Sequence, residues 1–373
     1  MAAAAAPSGV YVAVLGIGLV GSAFLRQLAG VQSAQLAGIA PIALVHAQTS
    51  SRGTTSGFAP IKPPTVELSG SALSKDELIS RLSALPGPRK LVVVDNTSSE
   101  DIASWYPALL QAGISVVTPN KKAFSGQLSL YKSILSAQAA AGTRALHEST
   151  VGAGLPVIQT LNDLVQTGDS VVRIEGVLSG TLSYIFNQFS PATASASADL
   201  PTFSSIVREA REKGYTEPHP ADDLSGADVA RKLTILSRLV PQLAEALPEG
   251  YRSVSITSLV PKELEGVATG DEFVQKLPQF DSYFAKLRDE AERENAVLRY
   301  VGVVDVEKKQ IRAALEKYPK THPFATALGG SDNILAFHTS RYAARPLLVQ
   351  GAGAGADVTA MGVLADVLKI ARV

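Results

Sequence analysis

Five groups able to bind a charge or move a proton stand within sixteen residues of one another: Glu217, Asp222, Asp223, Asp228 and Lys232, in the run GYTEPHPADDLSGADVARK. Glu217, Asp222 and Asp223 fall in a proline-interrupted loop. Asp228 and Lys232 stand four apart in a segment of helical periodicity, which puts both on one helix face. A carboxylate beside an amine on a half-buried helix can hold and transfer a proton near neutral pH, where burial lowers the lysine pKa. Three acids in the adjoining loop suit a polar ligand that carries an amine. A plainer reading is also open, a helix N-terminus with a solvated ion pair.

The helix that must carry this pair has Ser225 as its expected N-cap, with Asp228 as a capping-box-like partner. Val229, Leu233, Leu236 and Val240 form an apolar stripe that anchors it in a core. Upstream, an alternating strand at Val172–Leu178 runs into Ser179-Gly180-Thr181 and a helix. Such a turn offers N–H groups and a hydroxyl to a carboxylate.

A second constellation opens the chain. The apolar run Val10–Leu15 ends in Gly16-Ile17-Gly18-Leu19-Val20-Gly21 and a helical SAFLRQLAG segment. Strand, G-x-G-x-x-G and helix in that order form the dinucleotide fingerprint, with the pyrophosphate expected at the helix N-terminus. The next strand, read as Ile39–Ala47, leads to His46-Ala47-Gln48-Thr49-Ser50-Ser51-Arg52, and no acidic residue precedes Glu67. A carboxylate that would select a ribose 2′-hydroxyl is therefore missing, while Ser50, Ser51 and Arg52 could receive a 2′-phosphate. NADP(H) is favoured, with dual use of NAD(H) open. Residues 53–72 read as a mobile loop at the adenosine end.

Two further strands end in polar residues where the ligand crevice of such a sheet lies. Lys90–Asp95 is followed by Asn96, Thr97 and Ser98; Ile114–Val117 is followed by Thr118-Pro119-Asn120-Lys121-Lys122. A lysine there could meet the nicotinamide side, although lysine at a helix start opposes the dipole. Leu146–Pro156 (LHESTVGAGLP) reads as the hinge between domains, with a carboxylate and free carbonyls that could also bind a monovalent cation. Near the C-terminus QGAGAGA, with Gly353 inside it, leads into a helix expected to return to the nucleotide domain and close the cofactor crevice.

Composition bounds the class. The 373 residues are 46% apolar and 18% charged, with zero formal net charge and no cysteine. Two domains are expected, with neither nucleic acid nor membrane as partner. A signal peptide and a transmembrane run are missing, so a cytoplasmic location is expected, behind a frayed Ala-rich start. Residues 190–201 read as a low-complexity loop. Without cysteine there is no thiolate zinc site and no oxidation through a thioester; H-x-x-x-H and Tyr-x-x-x-Lys spacings are missing too. Carbonyl–alcohol or imine–amine hydride transfer remains, with Lys121 and Lys232 as the candidate proton donors.

GIGLVGSAFLRQL, VVVDNTSSE, VVTPNKKAFS, LHESTVGAGLPVIQTL, EGVLSGTLSYIFN and GYTEPHPADDLSGADVARK together resemble the homoserine dehydrogenases, in their fungal monofunctional form. The matches run through nearly the whole chain in family order. The resemblance implies interconversion of L-aspartate 4-semialdehyde and L-homoserine with NAD(P)H, on the route to threonine, isoleucine and methionine. It implies that Gly180, Thr181, Tyr215, Glu217, Asp223 and Asp228 hold homoserine, with Glu217 near its ammonium group. Lys232 would exchange the proton and Lys121, by family position rather than Lys122, would polarise or orient the reacting oxygen. Glu148 and the carbonyls of Val151, Ala153 and Leu155 would correspond to a sodium site. A homodimer built through the sheet of the catalytic domain is implied, with neither an aspartate kinase nor an ACT domain expected.

The expected architecture is α/β: a Rossmann dinucleotide-binding domain with a parallel sheet (1–155) and an α+β substrate-binding, catalytic and dimerisation domain with a mixed sheet (156–345). A C-terminal helical segment (346–373) follows. Two rivals stay open, an oxidoreductase of another amino-acid semialdehyde and a non-catalytic NADP-binding sensor.

Overall fold

The structure, a computed structural model, describes residues 9–34, 36–193 and 200–373. The Ala-rich start up to residue 8 and the middle of the low-complexity loop lie outside the described residues. The chain divides into two compact units, residues 1–154 with 354–373 and residues 155–353.

In the first unit the strands β1 (Val10–Leu15), β2 (Ile42–Gln48), β3 (Arg52–Gly53), β4 (Gly70–Ser71), β5 (Lys90–Asp95), β6 (Ile114–Val117) and β7 (Ala145–Leu146) form one sheet in the order β4-β3-β2-β1-β5-β6-β7. From β2 through β7 the pairing is parallel. Such strands are covered on both faces, which is why VYVAVL and KLVVVD read as near-continuous apolar runs. Helices Leu19–Ala34 and Ala356–Ala371 supply Phe24, Leu28, Val363, Val367 and Ile370 to the core over β1, β2 and β5.

Three local expectations change. The first helix begins at Leu19, so half of the glycine fingerprint forms its first turn. The second strand spans Ile42–Gln48 rather than Ile39–Ala47. The segment read as a mobile loop carries β3 and β4 paired antiparallel, with Gly53 opposite Gly70, and Ile61 bridges to Leu44. Two glycines opposite each other let those short strands approach closely: a Cβ on Gly53 would meet the Ser71 carbonyl at 2.9 Å.

The second unit holds β8 (Val171–Val177), β9 (Ser255–Ile256), β10 (Ala296–Asp305), β11 (Gln310–Pro319), β12 (Asp332–Thr339) and β13 (Leu347–Ala352) in the order β13-β12-β8-β10-β11-β9. All pairs are antiparallel except β11 with β9, which makes the sheet mixed. Strand β9 is only two residues long, following the 3-10 turn Gly250–Ser253. Helix Ala227–Arg238 lies close on β10 because Gly302 has no side chain; a Cβ there would meet Leu233 at 2.7 Å. The C-terminal segment expected at 346–373 divides. Residues 347–352 pair with β12 as an edge strand of the second sheet, and residues 354–373, with the last helix, belong with the first unit.

Candidate active site

In the first unit β1 has β2 on one side and β5 on the other, with Leu15 beside Gln48 and Asp95. Strand order reverses there, and the crevice beyond the carboxyl ends of such strands is the ligand site of open α/β sheets. Gly16 turns at φ +88° against the next loop: a Cβ on it would lie 2.8 Å from Thr97 and 3.0 Å from the Asn96 carbonyl carbon. A Cβ on Gly21 would strike the Gly16 carbonyl, whereas nothing lies within 4 Å of one on Gly18. The turn is thus tight behind and open in front. Ile17 and Val20 pack on the core, and Leu19 is exposed on the first helical turn.

Asn96 gives an independent sign of a ligand, since its Nδ2 and Oδ1 atoms are buried with no hydrogen-bond partner. A buried amide left unsatisfied costs about 1–3 kcal/mol, and this one stands beside the glycine turn. The oxygen-rich face of a dinucleotide would fit it.

Beyond β2 the chain makes a tight turn in which the Thr49 N–H reaches the Arg52 carbonyl (2.8 Å) and Thr49 Oγ1 accepts the Arg52 N–H (3.1 Å). Ser50, Ser51 and Arg52 are exposed at its tip. His46 and Gln48, buried at the strand end, carry no charge to replace the missing carboxylate. Burial holds the His46 imidazole below its usual pKa, and the Gln48 amide clamps Leu73 through both backbone atoms.

Ser98 and Lys121 flank Ser99 and Asn120, which are joined by the Asn120 Nδ2 bond to the Ser99 carbonyl (2.9 Å). Lys121 is half-buried and caps the short helix Lys122–Ser125, its carbonyl accepting the Ser125 N–H at 2.8 Å. Lys122 is half-buried too.

The candidate cation residues lie where the chain passes between units. Gly152 and Ala153 turn at φ +77° and +54°, and the turn packs hard on the last helix. A Cβ on Gly362 would lie 2.3 Å from Ser149 Oγ and 3.0 Å from the Ala153 carbonyl oxygen. Glu148 is buried, its N–H donates to Asp366 Oδ2 (2.9 Å), and Lys369 Nζ stands 3.5 Å from its carboxylate. Val151 is buried, and the Leu155 carbonyl accepts the Val157 N–H at 2.9 Å. All four donors are oxygens, the set a hard cation takes.

In the second unit the lysine helix starts differently from expectation. Ser225 closes the short helix Ala221–Leu224, and the residue that caps Ala227–Arg238 is Gly226 at φ +75°. A capping box between Ser225 and Asp228 does not form. Ser225 Oγ still accepts the Ala227 N–H at 3.2 Å. The apolar stripe Val229, Leu233, Leu236 and Val240 is fully buried, and it turns Lys232 inward.

Lys232 is 7% exposed. Its Nζ lies 2.7 Å from Asp228 Oδ2 and 2.6 Å from the Leu178 carbonyl. The solvated-pair reading therefore fails at the lysine, although the Asp228 side chain keeps half its surface. Leu178 immediately precedes Ser179, whose side chain accepts the Leu182 N–H and caps helix Gly180–Phe189. The ammonium thus sits at the mouth of the turn that carries Gly180 and Thr181.

Around that turn the loop acids converge. Thr181 Oγ1 lies 2.8 Å from Asp223 Oδ1 and 2.6 Å from the Tyr215 carbonyl; Asp223 Oδ2 accepts the Glu217 N–H at 2.8 Å. Burial pushes the Asp223 carboxyl up from its ordinary value, and the charges of Glu217 and Asp228 add to this, against its hydrogen bonds. Glu217 and Tyr215 remain exposed, Tyr215 with its ring edge-on to Tyr184. Asp222 is exposed and holds Ser225 Oγ through its carbonyl.

Gly353 serves a contact within its own unit. A Cβ on it would overlap the Asn333 amide at 2.1 Å, and Asn333 Nδ2 donates to the same Leu178 carbonyl (3.2 Å) that holds Lys232. Asn333, Tyr300 under Gly226, and the buried Asp95 were not singled out from the sequence. Asp95 alone carried a signal, as a charge ending an apolar strand.

The chain matches two family models: homoserine dehydrogenase, NAD binding domain, over residues 16–148, and homoserine dehydrogenase over residues 156–368. It is 48% identical over 375 residues to homoserine dehydrogenase of Emericella nidulans, covering 97% of this chain and 98% of that one. A crystal structure of a Candida auris protein of unknown function superposes at a TM-score of 0.87 with 45% identity, over 97% of this chain and 98% of that chain. A hyperthermophilic archaeal homoserine dehydrogenase in complex with NADPH shares the fold at a TM-score of 0.68 with 21% identity, over 97% of both chains.

Proposed function

The chain belongs to the homoserine dehydrogenases, NAD(P)-dependent oxidoreductases acting on a CH–OH group, and from that premise we propose how its own residues divide the work. The carrying observation is the Lys232 ammonium, buried between the Asp228 carboxylate and the Leu178 carbonyl at the Gly180–Thr181 turn. Lys232 gives its proton to the oxygen of L-aspartate 4-semialdehyde as the carbon is reduced, and takes it back from L-homoserine in reverse. Asp228 holds the lysine in place. One positioned acid contributes about 10²–10⁴ in rate.

Glu217 faces the substrate ammonium, with Asp223 fixing the Glu217 backbone and deepening the negative field. The first turn of helix Gly180–Phe189, with Thr181, takes the substrate carboxylate, and Tyr215 borders it. Lys121 assists by orienting the reacting oxygen. The nicotinamide, when bound, supplies or takes the hydride. Residues 16–21 would hold its pyrophosphate, and Asn96–Ser98 its adjoining ribose side. Gly353, in the glycine-rich run before the last helix, is proposed as a further cofactor contact.

NADP(H) is the preferred cofactor in this reading, because Arg52 stands exposed on a turn from which a carboxylate is missing. Glu148 and the carbonyls of Val151, Ala153 and Leu155 would hold a sodium ion. A homodimer through the second sheet, a cytoplasmic location and a place in threonine, isoleucine and methionine synthesis complete the proposal. Among the described residues no helix is long and apolar enough to cross a membrane. The test is L-homoserine-dependent reduction of NADP⁺, run beside NAD⁺ and beside alternative amino-acid alcohols. Turnover confined to L-homoserine supports the reading; NADPH binding without turnover replaces it with a sensor role.

A further inference from the structure

Asp95 ends β5 with a carboxylate that is wholly buried. Burial pushes this carboxyl up from its ordinary value, and the hydrogen bonds that replace water work against that rise. Its partners are a backbone N–H, a phenol and an amide. Oδ1 accepts the Thr97 N–H at 2.8 Å; Oδ2 accepts the Tyr106 hydroxyl and, at 3.1 Å, Asn120 Nδ2. Its backbone carbonyl accepts the Thr118 hydroxyl at 2.7 Å, and Thr118 Oγ1 in turn accepts the Asn120 N–H at 2.8 Å.

Asn120 is committed on every side. Its Nδ2 donates to Asp95 and to the Ser99 carbonyl, and its Oδ1 accepts the Lys122 N–H at 3.0 Å. A flipped amide would set its oxygen against the carboxylate, so one rotamer survives. Lys121 stands between Asn120 and Lys122, which this amide oxygen joins. One carboxylate therefore ties together the loop after β5 and the turn after β6.

We propose that Asp95 is a positioning residue: its buried carboxylate, through Tyr106 and Asn120, and its backbone carbonyl, through Thr118, set where Lys121 stands relative to the Asn96–Ser98 loop. The inference rests on the reading that Lys121 assists the reaction. A neutral side chain at residue 95 could close the same space but would lose the charge-assisted bonds, which are roughly twice as strong as neutral ones. Tyr106 fits the arrangement. Its hydroxyl lies deep between the two segments, and its ring packs against Phe124 of the helix that follows Lys121.

The test is a double-mutant cycle with Tyr106→Phe, Thr118→Val and Lys121→Met, followed by NADP⁺-dependent homoserine oxidation, NADPH binding by fluorescence and thermal melting. Tyr106→Phe is expected to lower kcat between about ten- and hundredfold, the scale of a small misplacement, with KM for homoserine and NADPH affinity unchanged. In the Lys121→Met background the same change is expected to cost nothing further. Thr118→Val repeats the comparison through the other arm and replaces Tyr106→Phe should that variant fail to fold. An equal loss in both backgrounds, or a loss explained by weakened NADPH binding, overturns the proposal. If Lys121→Met lowers kcat while Tyr106→Phe and Thr118→Val do not, the positioning claim fails and the role of Lys121 stands. If Lys121→Met leaves kcat intact, both fail.

Discussion

A methyl group on Gly226 would stand 2.0 Å from the hydroxyl of Tyr300, which itself donates to the Thr257 carbonyl at 3.0 Å. The helix bearing Asp228 and Lys232 therefore begins where β10 leaves room only for a glycine, and at φ +75°. Gly226→Ala should lower unfolding free energy by more than the roughly 1–2 kcal/mol of the left-handed conformation alone. Adding Tyr300→Phe should recover part of that loss by removing the closest atom. Denaturant unfolding of the parent and these two variants checks this; a Gly226→Ala protein as stable as the parent would show that the helix start can shift at no cost.

Asp223 should give homoserine binding a distinct acid limb. Burial, with Glu217 and Asp228, raises its carboxyl in the folded chain, so it takes up a proton at a higher pH than an ordinary aspartate. The protonated form loses its charge-assisted hold on the Glu217 N–H and part of the field on a substrate ammonium. KM for homoserine should rise as pH falls through this raised value. Stability runs the other way: the folded state binds the proton more tightly, so this group favours the fold increasingly as pH falls through the same window. In Asp223→Asn the acid limb of KM should vanish; a limb that persists at the same pH assigns it to another group.

Arg52 should carry the cofactor preference. Arg52→Ala removes the one cation on the exposed turn after β2 and should raise KM for NADP⁺ by about ten- to hundredfold, the worth of a charged hydrogen bond. KM for NAD⁺ should hold. Equal effects on the two cofactors would place the 2′-phosphate elsewhere.

Much of this was legible because it rests on local pattern. VYVAVL before the glycines, KLVVVD, and the Val229–Leu233–Leu236–Val240 stripe each report a buried face directly; the first and third are buried throughout, and the second from Val92 to Asp95. The Asp228–Lys232 spacing gave the ion pair by helix geometry alone. The helix cap was misread because Ser225 and Gly226 are both good capping residues, and the choice between them is made by Tyr300, some seventy positions away. Edge strand β13 was missed for a related reason: Leu347–Ala352 has no pattern of its own until β12 pairs with it. Asp95, Asn120 and Asn333 likewise act through partners distant in sequence, so their types alone announce little.

The central claim is that Lys232 moves the proton. The most direct measurement is steady-state homoserine oxidation by Lys232→Met, a variant that keeps the length and burial of the side chain. The predicted result is a loss in kcat of about 10²–10⁴ with NADPH binding retained and KM for homoserine little changed. A variant whose KM rises while kcat holds would show that Lys232 only binds substrate, and the proposed chemistry would have to be built on another residue.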